Sequence, residues 1–292
     1  NGTFDWYATY NSDGSYYDGA IDMVYDEDNQ FIYVVGTGFN DNLDLDFITL
    51  QYDPAGNLQW NAYYDANEDD DIAARVLTDG NSVYVTGACK YQQWDWRTVI
   101  VEYDNGGSYV NHDSTAAGSI TGDIIGDFFR DTLGNIYITG SRNDTSSYNY
   151  FTIKYDTLLS NQWSNTYNAP HGGDDYATGV WVDYDGNVYV TGAATDTING
   201  YDIHTLKYNA SGNLVWTKTW NDTTYNSNDS AVAIVGDTLG NLYIIASSTR
   251  AENRDYLILK YDTAGNELWN IAYNGLDNGD DIPAAIAIEP ST

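Results

Sequence analysis

Apolar and polar positions alternate in short runs along this chain, as in Asp46-Phe47-Ile48-Thr49-Leu50-Gln51-Tyr52 and Asp255-Tyr256-Leu257-Ile258-Leu259-Lys260-Tyr261. A period of two, rich in aromatic and β-branched residues, predicts strands, and no stretch carries a competing helical period. One run recurs almost unchanged: Ile32-Tyr33-Val34-Val35-Gly36, then Val83 to Gly87, Ile136 to Gly140, Val188 to Gly192 and Leu242 to Ala246, at spacings of 51, 53, 52 and 54 residues. So regular a period means one supersecondary unit copied along the chain.

Each copy predicts four strands. The inner one carries small residues, as at Ala73-Ala74 and Ala231-Val232-Ala233. The Tyr-Val-Thr-Gly run is the second, the alternating run above is the third, and an outer strand is marked by Trp6, Trp60, Tyr109, Trp163, Trp216 or Trp269. Turns of the form Asp-x-x-Gly-Asn join first to second strands (Asp131 to Asn135, Asp237 to Asn241) and third to fourth (Asp53 to Asn57, Asp262 to Asn266), with Gly-Asn supplying the positive φ such turns require. Asn105-Gly106-Gly107-Ser108 and Leu159-Ser160-Asn161 replace that turn chemistry, so a different geometry is open at those two places.

Four-stranded units of this length, repeated, predict an all-β chain folded as a β-propeller of antiparallel blades. The pattern places five complete repeats at about 18–64, 71–113, 123–167, 175–220 and 229–273, with terminal strands at 4–10 and 281–288, in a single domain covering 1–292. Asp174-Asp175-Tyr176-Ala177, Gly186-Asn187-Val188-Tyr189-Val190-Thr191-Gly192, Thr205-Leu206-Lys207-Tyr208 and Gly212-Asn213-Leu214-Val215-Trp216 together resemble the SBBP-type β-propeller repeat; the Asp-x-x-Gly-Asn-x-Tyr core is also similar to the NHL blade. The resemblance covers essentially the whole chain. It implies a secreted or surface-attached prokaryotic protein and no particular reaction. Six outer and six inner strands against five central hairpins leave three readings open: a segment of a longer six- or seven-bladed protein, a five-bladed ring with a surplus strand, or an assembly joined through terminal strands.

Charge narrows the partners. With 43 acidic against 11 basic residues and a net charge of -32, nucleic acid and anionic membranes are repelled, whereas cations are attracted. Many aspartates sit at turn positions, where a short carboxylate accepts backbone hydrogen bonds. No transmembrane run is present, and the single cysteine, Cys89, allows no intramolecular disulfide. The Asn-x-Ser/Thr sequons at Asn1, Asn143, Asn209, Asn221 and Asn228 are about as many as so Asn-rich a chain produces by chance.

The long connections that differ between copies predict the recognition face, since variable loops on a rigid scaffold carry binding. Tyr91, Trp94, Trp96, Tyr148, Tyr150 and Tyr201 are the candidate binding residues there, alternation burying one of Trp94 and Trp96 and exposing the other. Asp18, Asp71, Asp123, Asp175, Asp229 and Asp281 recur at the start of each inner strand on the same side. Gathered around a mouth they suit calcium; the alternative is that each holds its own loop. Two acidic runs, Asp41-x-x-Asp44-x-Asp46 and Glu68-Asp69-Asp70-Asp71, offer a second calcium possibility without matching an EF-hand loop. His112, His171 and His204 fall in different copies, and no metal-binding or nucleophile motif interrupts the repeat. The expectation is a non-catalytic extracellular or cell-surface module for binding, adhesion or assembly, its partner a protein or glycan. The alternatives are a glycan-active hydrolase or lyase with a carboxylate site on the variable face, and a structural subunit of a surface filament or layer.

Overall fold

A computed structural model describes residues 5–12, 17–40, 42–66, 69–92, 95–115, 123–144, 146–195, 200–225, 227–251, 253–276 and 278–288. Among them the chain is all β, with twenty strands in five four-stranded antiparallel sheets and no helix. Packing divides it into two compact units, residues 1–125 and 126–292.

The first unit holds two sheets. One is β1 (Asp18–Asp26), β2 (Phe31–Phe39), β3 (Leu45–Tyr52) and β4 (Leu58–Tyr64); the other is β5 (Asp71–Thr78), β6 (Ser82–Gln92), β7 (Asp95–Asp104) and β8 (Tyr109–Ser114). Strand order equals chain order in both, each strand pairing with the next. Their second and third strands carry apolar side chains on both faces. Tyr33, Val35 and Phe47 meet Ala73, Val76, Val83, Val85 and Val99 in one core, while Ile48, Leu50 and Tyr52 face the other way and pack with Tyr10.

The second unit holds three sheets: β9 (Ile124–Arg130), β10 (Ile136–Asn143), β11 (Tyr148–Tyr155) and β12 (Asn161–Tyr167); β13 (Asp175–Val182), β14 (Val188–Thr195), β15 (Tyr201–Tyr208) and β16 (Leu214–Trp220); β17 (Asp229–Gly236), β18 (Leu242–Arg250), β19 (Asn253–Tyr261) and β20 (Glu267–Tyr273). Two cores lie between them, one around Tyr137, Val180, Val190 and Tyr208, the other around Tyr189, Ile234, Ile244 and Leu259.

Two local devices repeat. The turn aspartate accepts backbone bonds through one oxygen and a side chain through the other: Asp183 Oδ1 takes the N–H of Asp185 and Asn187 at 3.0 and 2.8 Å, and Oδ2 takes the Tyr189 hydroxyl at 3.0 Å. In addition, the outer-strand tryptophan of one sheet lies on the positive-φ glycine of the following turn and donates its indole N–H to a carbonyl there. Trp60 does so over Gly107 to Asn105 at 3.0 Å, and Trp163 over Gly212 to Ala210 at 3.2 Å.

Two expectations are revised. The segments 105–108 and 159–161 keep the ordinary turn, because the determinant is the aspartate: Asp104 and Asp156 hold the same two N–H groups, and Leu159 takes the left-handed conformation itself at φ 56°. The terminal segments, in their described parts 5–10 and 281–288, are not strands.

Candidate functional site

Of the recurring aspartates, Asp71, Asp123, Asp175 and Asp229 are buried where an inner strand begins, while Asp18 and Asp281 are half-buried; each fastens the loop before it or beside it. Oδ2 of Asp18, Asp71, Asp175, Asp229 and Asp281 accepts the backbone N–H of Ser12, Ala66, Ala169, Asp222 and Gly275 at 2.5–2.9 Å. Asp123 instead takes the Thr98 hydroxyl at 2.6 Å. Charges acting most on Asp71 come from Asp65 and Asp46, and those on Asp229 from Asp222 and Arg250, so each carboxylate answers to its own surroundings. Desolvation pushes Asp175 and Asp229 above the usual carboxylate range.

One place in the first unit differs. Asp46 at the start of β3, Asp65 just after β4 and Asp71 at the start of β5 bring ligand oxygens within 4.8 Å of one another. Each of the two acidic runs in the sequence thus sends one carboxylate to a common point. Desolvation pushes Asp46 up to about 6 and Asp71 to about 7, with the neighbouring carboxylates adding to it and hydrogen bonds from Asn40 and Ala66 opposing it. The buried Cys89 stands opposite Asp71 in the β5–β6 ladder, and burial raises its thiol far above the ordinary value.

In the second unit three tyrosines form a ladder. Tyr148 on β11 and Tyr176 on β13 have ring centroids 5.4 Å apart, and Tyr176 and Tyr201 on β15 lie 6.0 Å apart, at tilted angles. All three are half-buried. Asp174 binds two of them together, accepting the Tyr148 N–H at 2.9 Å and the Tyr176 hydroxyl at 3.4 Å. Burial, then the Asp174 charge, pushes the Tyr176 hydroxyl up to about 12. The Asn228 side chain fixes the β15 end of the ladder by accepting the Tyr201 N–H at 3.0 Å. Neighbouring partly exposed rings with a carboxylate at the edge offer apolar faces for stacking and an acceptor for hydroxyl groups.

The remaining candidates are dispersed. Tyr150 is a correction: it is fully buried in the core between its sheet and the next, its ring tilted against Tyr167 at 6.1 Å, because it lies on the same face of β11 as Tyr148 but deeper, packed with Tyr137 and Ala177. Tyr91 packs against the first unit's core, with the Arg97 guanidinium 4.2 Å over its ring. Trp96 lines a cavity of about 430 Å³ with Ile72, Ala88 and Ile124. Trp94 lies outside the described residues. Tyr176 and Asp65 escaped the sequence reading, yet both left a signal. The position after the recurring aspartate holds Gly19, Ile72, Ile124, Ser230 or Ile282 in the other copies and an aromatic only at Tyr176. The position of Asp65 holds Asn11, Asn168, Asn221 or Asn274 elsewhere.

No family model and no curated protein matches the chain. Solved structures are similar to it in fold. A protein of unknown function from Bacteroides caccae shares 13% identity at a TM-score of 0.50, over 88% of this chain and 82% of that one. A puromycin hydrolase variant shares 12% at 0.51, over 86% of this chain and 37% of its own. Cobalt-substituted apocarotenoid oxygenase from Synechocystis shares 10% at 0.50, over 87% and 60%. The chain therefore spans less than two thirds of each of the two enzymes. Identities this low carry the fold and not the activity. Among the described residues no helix is long and apolar enough to cross a membrane.

Proposed function

We propose that the five sheets are blades of a β-propeller of the SBBP type, acting outside the cell or at its surface as a non-catalytic module that binds neutral glycans. The Tyr148–Tyr176–Tyr201 ladder with Asp174 carries this reading. Tyrosine faces stack on the C–H faces of sugar rings, a carboxylate accepts sugar hydroxyls, and rigid strands hold the rings in place at little entropic cost. The net charge of -32 disfavours anionic glycans. The recurring carboxylates support a non-catalytic role, since their oxygens hold loops. The secreted location follows from the resemblance of the repeat.

The test is binding of the whole chain to an immobilised panel of neutral oligosaccharides. Binding that falls at least tenfold in Tyr176→Ala and survives in Tyr176→Phe supports the ladder. Absence of binding across the panel, or equal binding by Tyr176→Ala, refutes it.

A further inference from the structure

We infer that Asp46, Asp65 and Asp71 form a calcium site in the first unit. Three observations meet there. The carboxylates come from three separate points of the chain and place oxygens within 4.8 Å, a spacing that like charges do not favour unless a proton or a cation neutralises them. Asp71 is completely buried; its Oδ2 accepts the Ala66 N–H, and the only other donor to its carboxylate, among the described residues, is the Cys89 thiol, a weak one whose geometry leaves Oδ1 short of a full hydrogen bond. A buried carboxylate oxygen so weakly satisfied has room for a cation as its partner. Asp18 also buries an Oδ1 without a partner, and at Asp229 the Ser248 hydroxyl bonds the carboxylate, but only at Asp71, among the described residues, do two further acid groups converge.

The repeat supplies the third observation. Asp202, Asn221 and Asp229, and likewise Asp255, Asn274 and Asp281, occupy the same three places in later copies, and there the middle member is an amide. The first copy alone turns it into a carboxylate. That substitution adds a third negative ligand where those two copies carry two; Asn149 and Arg97 stand at the place of Asp46 in the remaining copies. Oxygen-only donors of this kind fit a hard cation, and irregular spacing with one member exposed favours calcium, which tolerates variable geometry and completes its shell with water, over magnesium, which demands a near-ideal octahedron.

The experiment uses the whole chain, stripped with chelator, and calcium chloride as the probe. Calcium is expected to raise the melting temperature above a sodium control of equal ionic strength and to bind with one-to-one stoichiometry by calorimetry. Asp65→Asn should lose both effects while keeping the unliganded fold, because asparagine already stands at this position in other copies. Asp185→Asn, an acidic change in a turn of the second unit, should keep both. Equal calcium responses in Asp65→Asn and the parent would show diffuse screening of the acidic surface and overturn the site. So would a parent chain that shows neither heat nor shift, or one that responds equally to magnesium.

Discussion

Gly212 and Gly186 sit in equivalent turns of one sheet, at φ 81° and 77°, yet replacing them with alanine should cost different amounts. Both substitutions force an L-residue into the left-handed region, at about 1–2 kcal/mol. At Gly186 the new methyl meets only the Ala210 side chain, at 3.2 Å. At Gly212 it would lie 2.8 Å from the Trp163 ring, which is held by its indole bond to Ala210 and by contacts with Tyr137 and Tyr208. Relieving that overlap means moving a packed ring, at about 1–3 kcal/mol more. Urea unfolding should therefore give a loss of about 1–2 kcal/mol for Gly186→Ala and about 2–5 for Gly212→Ala. In a Trp163→Ala background most of the excess should vanish, leaving the milder contact with the Asn165 amide at 3.1 Å. Equal losses, or an excess undiminished without Trp163, would refute the idea that tryptophan on glycine joins one sheet to the next.

Asp175→Ala should destabilise the second unit by about 2–4 kcal/mol, because it strands the buried Ala169 N–H and removes the acceptor for Thr195; a urea midpoint within error of the parent would contradict the loop-holding role. Asp46 and Asp71 have folded-state pKa values above their unfolded ones, so the folded chain retains protons that the unfolded chain gives up between about pH 4 and 7. With chelator present, stability should fall as pH rises through that window, on the order of 3 kcal/mol per carboxylate at most, and Asp46→Asn should flatten the fall; parallel pH profiles for variant and parent would count against it. Cys89 is fully buried with a raised thiol pKa, so an aromatic disulfide reagent at mildly alkaline pH should label it no faster than the chain unfolds. Rapid stoichiometric labelling of the native protein would place the thiol at the surface instead.

The strands were legible in sequence because two-residue alternation and turn aspartates act locally. Asp104 and Asp156 show how local: each carboxylate forms the turn even where glycine-asparagine is missing, at the cost of a left-handed Leu159. What sequence could not supply was the neighbour. Tyr148 and Tyr201 were visible as loop aromatics, but the residue between them, Tyr176, belongs to an inner strand that reads as scaffold. Tyr150 looked equally accessible, but although it shares a face of β11 with Tyr148 it lies deeper, in the core with Tyr137 and Ala177. The Asp46–Asp65–Asp71 cluster likewise depends on two sheets meeting, although Asp65 was detectable as the one carboxylate in a column of asparagines.

The central claim is that the repeat builds the scaffold and that recognition lies where the copies differ, at the tyrosine ladder. Hydrogen exchange of the whole chain with and without the neutral oligosaccharide that binds most tightly tests it directly. The account predicts ligand-dependent protection at residues 146–149, 174–177 and 200–202, with the turns of the same sheets unchanged. Protection confined to the first unit, or spread evenly over the repeated turns, would contradict it.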